Sequence, residues 1–263
     1  MSETDKTTNI DFDIQQNISL KSIVGNKHAV EMAANYIGDY YNNKEVPFLK
    51  PILLVSRNSC KTMAAAISNS FGNEGGNFNY VCGSFFSSGI LELNNYFSYG
   101  NYCSTYYISN IEKLNSLNQY KLGRIFYECR INYIDRNTKL PISRPLFKHL
   151  HILSCKNIRE INKPLLDQMG IIINLSALNE SEILQVLQQR IKLMNLTVSP
   201  ENVLIKIAQR CCSASVQKAI ELLSLSLCLM RAGDESILTQ KHIDRALFLD
   251  EKNTEAFLKN ELT

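Results

Sequence analysis

Five short apolar runs alternate with stretches of helical periodicity, and this alternation constrains the 263-residue chain more than any other feature. The runs are PILLV (51–55), FNYVC (78–82), STYYIS (104–109), HLHILSC (149–155) and GIIINLSAL (170–178). Ahead of and between them stand SIVGNKHAVEMAANYIGDYY (22–41), KTMAAAISNSFG (61–72), GILELNNYFSYG (89–100) and NQYKLGRIFYECRI (118–131). In the first of these, Val30, Met32, Ala33, Tyr36 and Ile37 recur at helical spacing after a Gly-Asn turn. Strands covered on both faces read as continuous apolar runs, and strands alternating with helices imply crossover connections. The expectation is an α/β domain with a parallel sheet flanked by helices.

From residue 179 the pattern is helical only. NESEILQVLQQRIKLMN opens on Asn179 with Glu182 three positions on, a capping box with Asn in place of Ser or Thr. SPENVLIKIAQRCC predicts a helix capped by Ser199 with Pro200 at its first position. SVQKAIELLSLSLCLMRAG (215–233) and TQKHIDRALFL (239–249) complete four helices. The expected organisation is a polar tail over 1–18, the α/β domain over 19–178, a small four-helix lid over 179–250 and a C-terminal tail over 251–263.

Composition removes several function classes. Hydrophobic residues at 45% and charged residues at 20% describe a globular chain with room for a substantial core. A net charge of +3 is too mild to argue for nucleic acid on its own. No run reaches the roughly 18 apolar residues of a membrane span, and MSETDKTTNIDFD is too acidic for a signal peptide, so a cytoplasmic protein without a membrane role is expected. The eight cysteines form no CxxC and no Cys–His pair at ligand spacing, which reads as small buried hydrophobes rather than a metal site. The four histidines have no evident Asp or Ser partner, which argues against a hydrolytic triad.

The stretch LLVSRNSCKTMAA (53–65) has the strand–turn–helix form in which nucleotide-phosphate loops are written, with Lys61-Thr62 opening the helix. Such loops converge backbone N–H groups on phosphate, and their glycines permit positive φ and close approach. This turn has no glycine and, counted against GxxxxGKT, is one residue short.

Placed in order with its later landmarks, the chain resembles RuvB-type AAA+ motors. SLKSIVGNKHAVEMAANYI resembles the family's L-x-x-[FY]-[IV]-G-Q-x-x-[VL] opening. YYISNIEKL stands where the family has LFIDEIHRL, LHILSCKN where it has LIGATTR, and PLLDQMG where it has PLRDRFG. SASV (213–216) stands in the lid where RGTPR is expected, and IDRALFLDEKNTEAF near the close. The resemblance covers about residues 19–257 and implies an AAA+ P-loop fold. Clamp-loader subunits share the two-domain layout.

Under that resemblance Lys61 and Thr62 are residual ATP-contacting positions, for phosphate and magnesium respectively. The magnesium acid and catalytic base fall on Ser109 and Asn110, which carry no charge and no basic carboxylate. Strand four's sensor falls on Ser154 or Asn157. The arginine-finger positions are Leu166 and Gln168, and the lid's sensor arginine is Val216, with Lys218 nearby lacking the planar fork. No catalytic residue is expected, and ATP with magnesium only if the altered site still binds it.

The resemblance also implies a hairpin that docks the partner RuvA. INYIDRNTKLPI suits one, with Ile131, Tyr133, Ile134, Leu140 and Ile142 as candidate contacts. The basic residues over 121–144 read as a solvated helix and hairpin. The family's winged-helix DNA-binding domain has no room after the lid, so contact with DNA is expected to be indirect or weak. The reading is a non-catalytic subunit in DNA recombination or repair, partnered by RuvA-like, RuvB-like or other AAA+ subunits, with oligomers open. The alternatives are an active DNA-dependent ATPase with an unorthodox site and a clamp-loader-type stator.

Overall fold

The computed structural model describes residues 18–42, 49–71, 78–88, 97, 105–134, 138–146, 150–212 and 215–261, with backbone alone at 133, 201 and 253–261. The expected helix over 89–100 lies outside these residues except for Phe97, as do the tail before Ile18, the hairpin tip 135–137, and Ser213 and Ala214. The chain divides into two compact units, 1–176 and 177–263.

The first unit is built on five parallel strands, β1 (Ile52–Val55), β2 (Phe78–Cys82), β3 (Thr105–Ser109), β6 (Leu150–Cys155) and β7 (Ile171–Asn174), in the order β2-β3-β6-β1-β7. Helices α1 (Lys27–Asn42), α2 (Lys61–Phe71), α3 (Ser116–Glu128) and the single turn α4 (Lys163–Leu166) accompany it. Alternate side chains go to opposite faces, as the two-residue strand period demands. Leu53, Leu153, Tyr106 and Ile108 share a core with Leu122, Ile125 and Phe126 of α3. Ile52, Leu54, Ile152, Tyr107 and Ile173 share the other with Ala33 and Ile37 of α1 and Met63 and Ile67 of α2. The three central strands β1, β3 and β6 are therefore buried on both sides, which is why their runs look uninterrupted in the sequence, while the edge strands β2 and β7 are only partly covered.

The Gly-Asn turn before α1 is a left-handed pair, φ 69° at Gly25 and 49° at Asn26. Asn26 is held there by its side chain, which donates to the Ser176 carbonyl at 3.2 Å and accepts from the Ser176 N–H at 2.7 Å. That pairing ties the start of α1 to the end of the sheet.

An antiparallel hairpin, β4 (Arg130–Ile134) with β5 (Pro141–Pro145), follows α3, as INYIDRNTKLPI suggested. It divides the candidate contacts. Ile131 is 2% exposed and packs into the α3 core, so it holds the hairpin to the domain and is not a docking residue. Ile142 is half-buried, whereas Ile134 and Leu140 are exposed. Tyr133 pairs with Ile142 in the ladder.

The second unit holds α5 (Glu180–Leu193), α6 (Ile205–Cys211), α7 (Val216–Ala232) and α8 (Gln240–Glu261) around one apolar core. The capping box on α5 is present: the Asn179 side chain accepts from the Glu182 N–H at 3.0 Å and Glu182 accepts from the Asn179 N–H at 2.9 Å. Ser215 caps α7. Two boundaries differ from expectation. Ser199 is no helix cap but the last residue of a short strand, β8 (Thr197–Ser199), paired in parallel with β9 (Ile237–Thr239). A 3-10 turn over Glu201–Leu204 then precedes α6. The partner strand lies some forty residues away, beyond the reach of local periodicity. The final helix also runs on to Glu261, through the segment expected as a tail.

His242 has partners that the sequence did not suggest. Its Nδ1 lies 3.1 Å from the Thr239 N–H and 3.0 Å from the Thr239 hydroxyl, and its Nε2 lies 3.3 Å from Glu235. The Thr–His–Glu order is that of a triad, but Nδ1 already accepts a backbone N–H. The arrangement caps α8 and leaves no free base to activate the hydroxyl.

Candidate nucleotide site at the carboxyl edge of the sheet

In open parallel sheets, ligands bind beyond the carboxyl ends of the strands. Here that edge carries the loop Ser56–Cys60 after β1, Cys82-Gly83 after β2, Ser109-Asn110 closing β3, and Ser154-Cys155 closing β6.

The loop after β1 is anchored by the Ser56 N–H, which donates to the Cys155 carbonyl at 3.0 Å. None of the residues Ser56–Thr62 has a positive φ. Without glycine the loop avoids the left-handed region altogether, and its amides turn inward. The Asn58 N–H donates to Ser56 Oγ at 3.1 Å and the Lys61 N–H to Ser59 Oγ at 3.4 Å. Ser59 thus takes the first N–H of α2, while Ser56 closes a turn within the loop that precedes it. Cys60 is buried in the core under α2, and burial pushes its thiol up to about 12.

Lys61 begins α2, and its ammonium lies over the Tyr80 ring of β2, 5.0 Å from the centroid. Tyr80 stands beside Tyr107, which in turn stacks on Phe78, so the lysine ends an aromatic column along β2 and β3. Thr62 is exposed. Buried Ser109 donates to the Tyr80 hydroxyl at 3.3 Å. Asn110 is left-handed, φ 52° and ψ 50°, a conformation that asparagine tolerates better than most residues. Its amide donates to Cys82 Sγ at 3.4 Å, and its carbonyl would meet a Cβ on Gly83 at 2.5 Å. Only glycine allows β2's exit to pass this close to β3's exit.

The same edge gives Cys82 an unusual thiol. Partial burial raises its pKa, but hydrogen bonds from Ser84 (3.2 Å), Asn110 and Ser109 outweigh it and bring it down to about 7. Two residues past Asn110, Glu112 keeps one carboxylate oxygen shielded from solvent with no hydrogen-bond donor. Its charge helps to raise the thiols of Cys60 and Cys155, which places an anion beside the end of the loop.

The remaining positions are occupied structurally. Ser154 shares a 2.9 Å hydrogen bond with the Tyr107 hydroxyl. Asn157 accepts from the Arg159 N–H and donates to Glu160. Leu166, at the end of α4, packs on the α3 core, and Gln168 is half-buried in the turn that follows. In the second unit, Val216 opens α7 and packs on that unit's core, while Lys218 is ion-paired with Asp250 of α8. Tyr80, Cys82, Gly83, Ser84 and Glu112 were not singled out in the sequence. Their meeting depends on β2 lying beside β3, and no local pattern reports that.

Among the described residues, no group of three or more His, Cys, Asp or Glu is placed to hold a metal ion, and no helix is long and apolar enough to cross a membrane.

No family model and no curated protein matches the chain. Solved structures do. Two point mutants of Thermotoga maritima RuvB align with TM-scores of 0.70, at 16% and 14% identity. They cover 89% and 90% of this chain and 73% of the motor in both cases. A third structure, described as the Thermotoga maritima RuvB Holliday junction branch migration motor, aligns at 0.68 and 14% identity, over 89% of this chain and 72% of that one. The expected architecture is therefore the observed one: the chain has a RuvB-like AAA+ fold.

Proposed function

We propose that this protein is a cytoplasmic, non-catalytic AAA+-fold subunit that works through protein contacts in a DNA recombination or repair assembly. Its partners are RuvA-like, RuvB-like or other AAA+ subunits. The observation that carries the reading is the loop after β1. Two of the N–H groups that a phosphate loop would offer are donated to Ser56 and Ser59 instead. An amide already satisfied inside the protein must lose that bond before it can bind phosphate, which offsets the gain.

The surroundings agree. Lys61 rests on Tyr80 rather than standing free. Ser109 and Asn110 supply no carboxylate for magnesium, and Glu112 adds negative charge where phosphate would need positive. ATP with magnesium does not fit these residues, and neither Ser109 nor Asn110 can act as the base for hydrolysis. The likeness to a branch-migration motor supports the recombination setting.

Calorimetric titration of the full chain with ATP, with and without magnesium, tests the proposal. No binding is expected up to millimolar nucleotide. Micromolar affinity that Lys61→Ala abolishes would overturn it in favour of an active ATPase.

A further inference from the structure

Two helices of the second unit begin alike and differ in one chemical respect. At α5 the third residue, Glu182, accepts from the N–H of Asn179, just before the helix, at 2.9 Å. At α8 the third residue, His242, accepts through Nδ1 from the N–H of Thr239, in the same relative position, at 3.1 Å. Each is the backward half of a capping box, in which a side chain in the first turn satisfies the backbone donor ahead of it. A carboxylate keeps its charge and lone pairs down to about pH 4, so the α5 box is the same throughout the neutral range. The α8 box is built instead on the one side chain type that ordinarily changes charge between about pH 5 and 8.

The geometry fixes where a proton acts. Because Nδ1 accepts a backbone N–H, the neutral ring carries its hydrogen on Nε2, which lies 3.3 Å from Glu235. A second proton can enter only at Nδ1, and the imidazolium then has no acceptor left. The Thr239 hydroxyl, 3.0 Å from Nδ1, can accept the new N–H, but the Thr239 backbone N–H is left facing a donor. The charge also enters the first turn of α8, where the helix dipole disfavours a cation. Glu235, in the turn between α7 and β9, attracts the charged ring. That carboxylate is 41% exposed and shared with Lys241 at 3.9 Å, so its attraction is screened. Asp244 of α8 is engaged by Lys206 of α6 at 2.9 Å and by Gln240 at 2.7 Å, and the Lys206 hydrogen bond holds its carboxyl below the usual range. Arg231 on α7 and Asp234 in the turn are exposed and make no ion pair with the ring, and β8 carries no charge.

The cap is joined to the core of its unit. Thr239 is the last residue of β9 and pairs with Ser199 of β8, and Leu238 before it is fully buried among the helices. His242 itself is 4% exposed, so its ring cannot turn out to water without disturbing that packing. We infer that His242 is a proton-operated catch at the junction of β9 and α8, closed while the imidazole is neutral and opened when Nδ1 is protonated. Opening frees the Thr239 N–H, frays the first turn of α8 and loosens the β8–β9 ladder. The inference goes beyond the subunit reading above and requires neither nucleotide nor partner.

Hydrogen exchange of the full chain tests the catch, read by mass spectrometry on fragments spanning Asp234 to Ile243 at about pH 5.5 and about pH 8, either side of the ordinary imidazole range. Two variants measured beside the unaltered chain cancel the intrinsic pH dependence of exchange. His242→Gln keeps a neutral acceptor in the first turn and should stay protected at both values. His242→Ala removes the acceptor and should exchange roughly fivefold faster at both. The unaltered chain is expected to match His242→Gln at the higher pH and His242→Ala at the lower, while fragments around Asn179 and Glu182 behave alike in all three. A chain that follows one variant at both pH values overturns the proposal, as does identical exchange of the two variants. Should His242→Ala loosen the whole unit, seen as faster exchange at Asn179 too, the His242→Gln comparison decides alone. A ratio between unaltered chain and His242→Gln that is the same at both pH values then overturns the catch.

Discussion

The interior of the five-stranded sheet and its carboxyl edge obey different rules. Inside, Ile52, Leu53, Leu54, Ile152 and Leu153 are all at most 1% exposed and divide cleanly between two cores. Polar groups there pair with one another, as in the 2.7 Å bond from Ser68 to Thr105 and the Tyr107–Ser154 pair. A strand or two further along, at the exits, side chains are half-exposed and polar, and they bond to one another: Lys61 over Tyr80, Ser109 to Tyr80, Asn110 and Ser84 to Cys82. Packing constrains the interior, because every methylene there is surrounded. The edge needs only satisfied polar groups, so the loop after β1 holds its shape without glycine and without positive φ. The interior is thus held by packing and the edge by hydrogen bonds and one cation–π contact.

Substitutions of graded severity break or sharpen that contrast. Leu53→Ala, at the centre of β1, should cost about 3 kcal/mol in denaturant unfolding through lost burial and a cavity between strands and α3. Gly83→Ala should cost roughly 1–3 kcal/mol, because its Cβ cannot pass the Asn110 carbonyl at 2.5 Å without moving one strand exit. That variant also tests whether the edge is rigid. If it costs nothing, the exits of β2 and β3 adjust freely.

Alkylation of Cys82 by iodoacetamide should rise with pH through a midpoint near 7, while Cys60 and Cys155, both near 12, stay protected. The lowered value means that folding favours the thiolate. Its stabilising contribution is full above the ordinary thiol range near 9 and fades as pH falls through 7. Asn110→Ala removes one donor and should move the alkylation midpoint upward, which mass spectrometry at several pH values would detect. The smallest effect is expected from Lys61→Ala, about 0.5–1 kcal/mol for the lost contact with the Tyr80 ring. A loss as large as that of Leu53→Ala would show that the edge is part of the core after all.

Much of this was legible in the residues. The parallel sheet followed from five apolar runs, and the box at Asn179 and Glu182 from its spacing. The hairpin was visible in INYIDRNTKLPI, but the sequence did not distinguish Ile131, which is core, from Ile134 and Leu140, which face outward. Ser199 read as a helix cap because the strand it joins is remote. At the candidate site, the missing glycines and acids were visible as letters, whereas the fate of the loop's amides was not.

The sequence by itself determined the five strands of the sheet, the capping box at Asn179 and Glu182, and that residues 56–62 lack the glycines a phosphate cradle uses. Periodicity, capping and backbone preference are local, and local residues carry them. Only the tertiary structure decided that Ser56 and Ser59 take two of the loop's amides, that the Lys61 ammonium lies over Tyr80, and that Ile131 is core while Ile134 and Leu140 face outward. Those outcomes depend on strand order and on which side chains meet across it, and contacts between distant residues leave no period in a sequence.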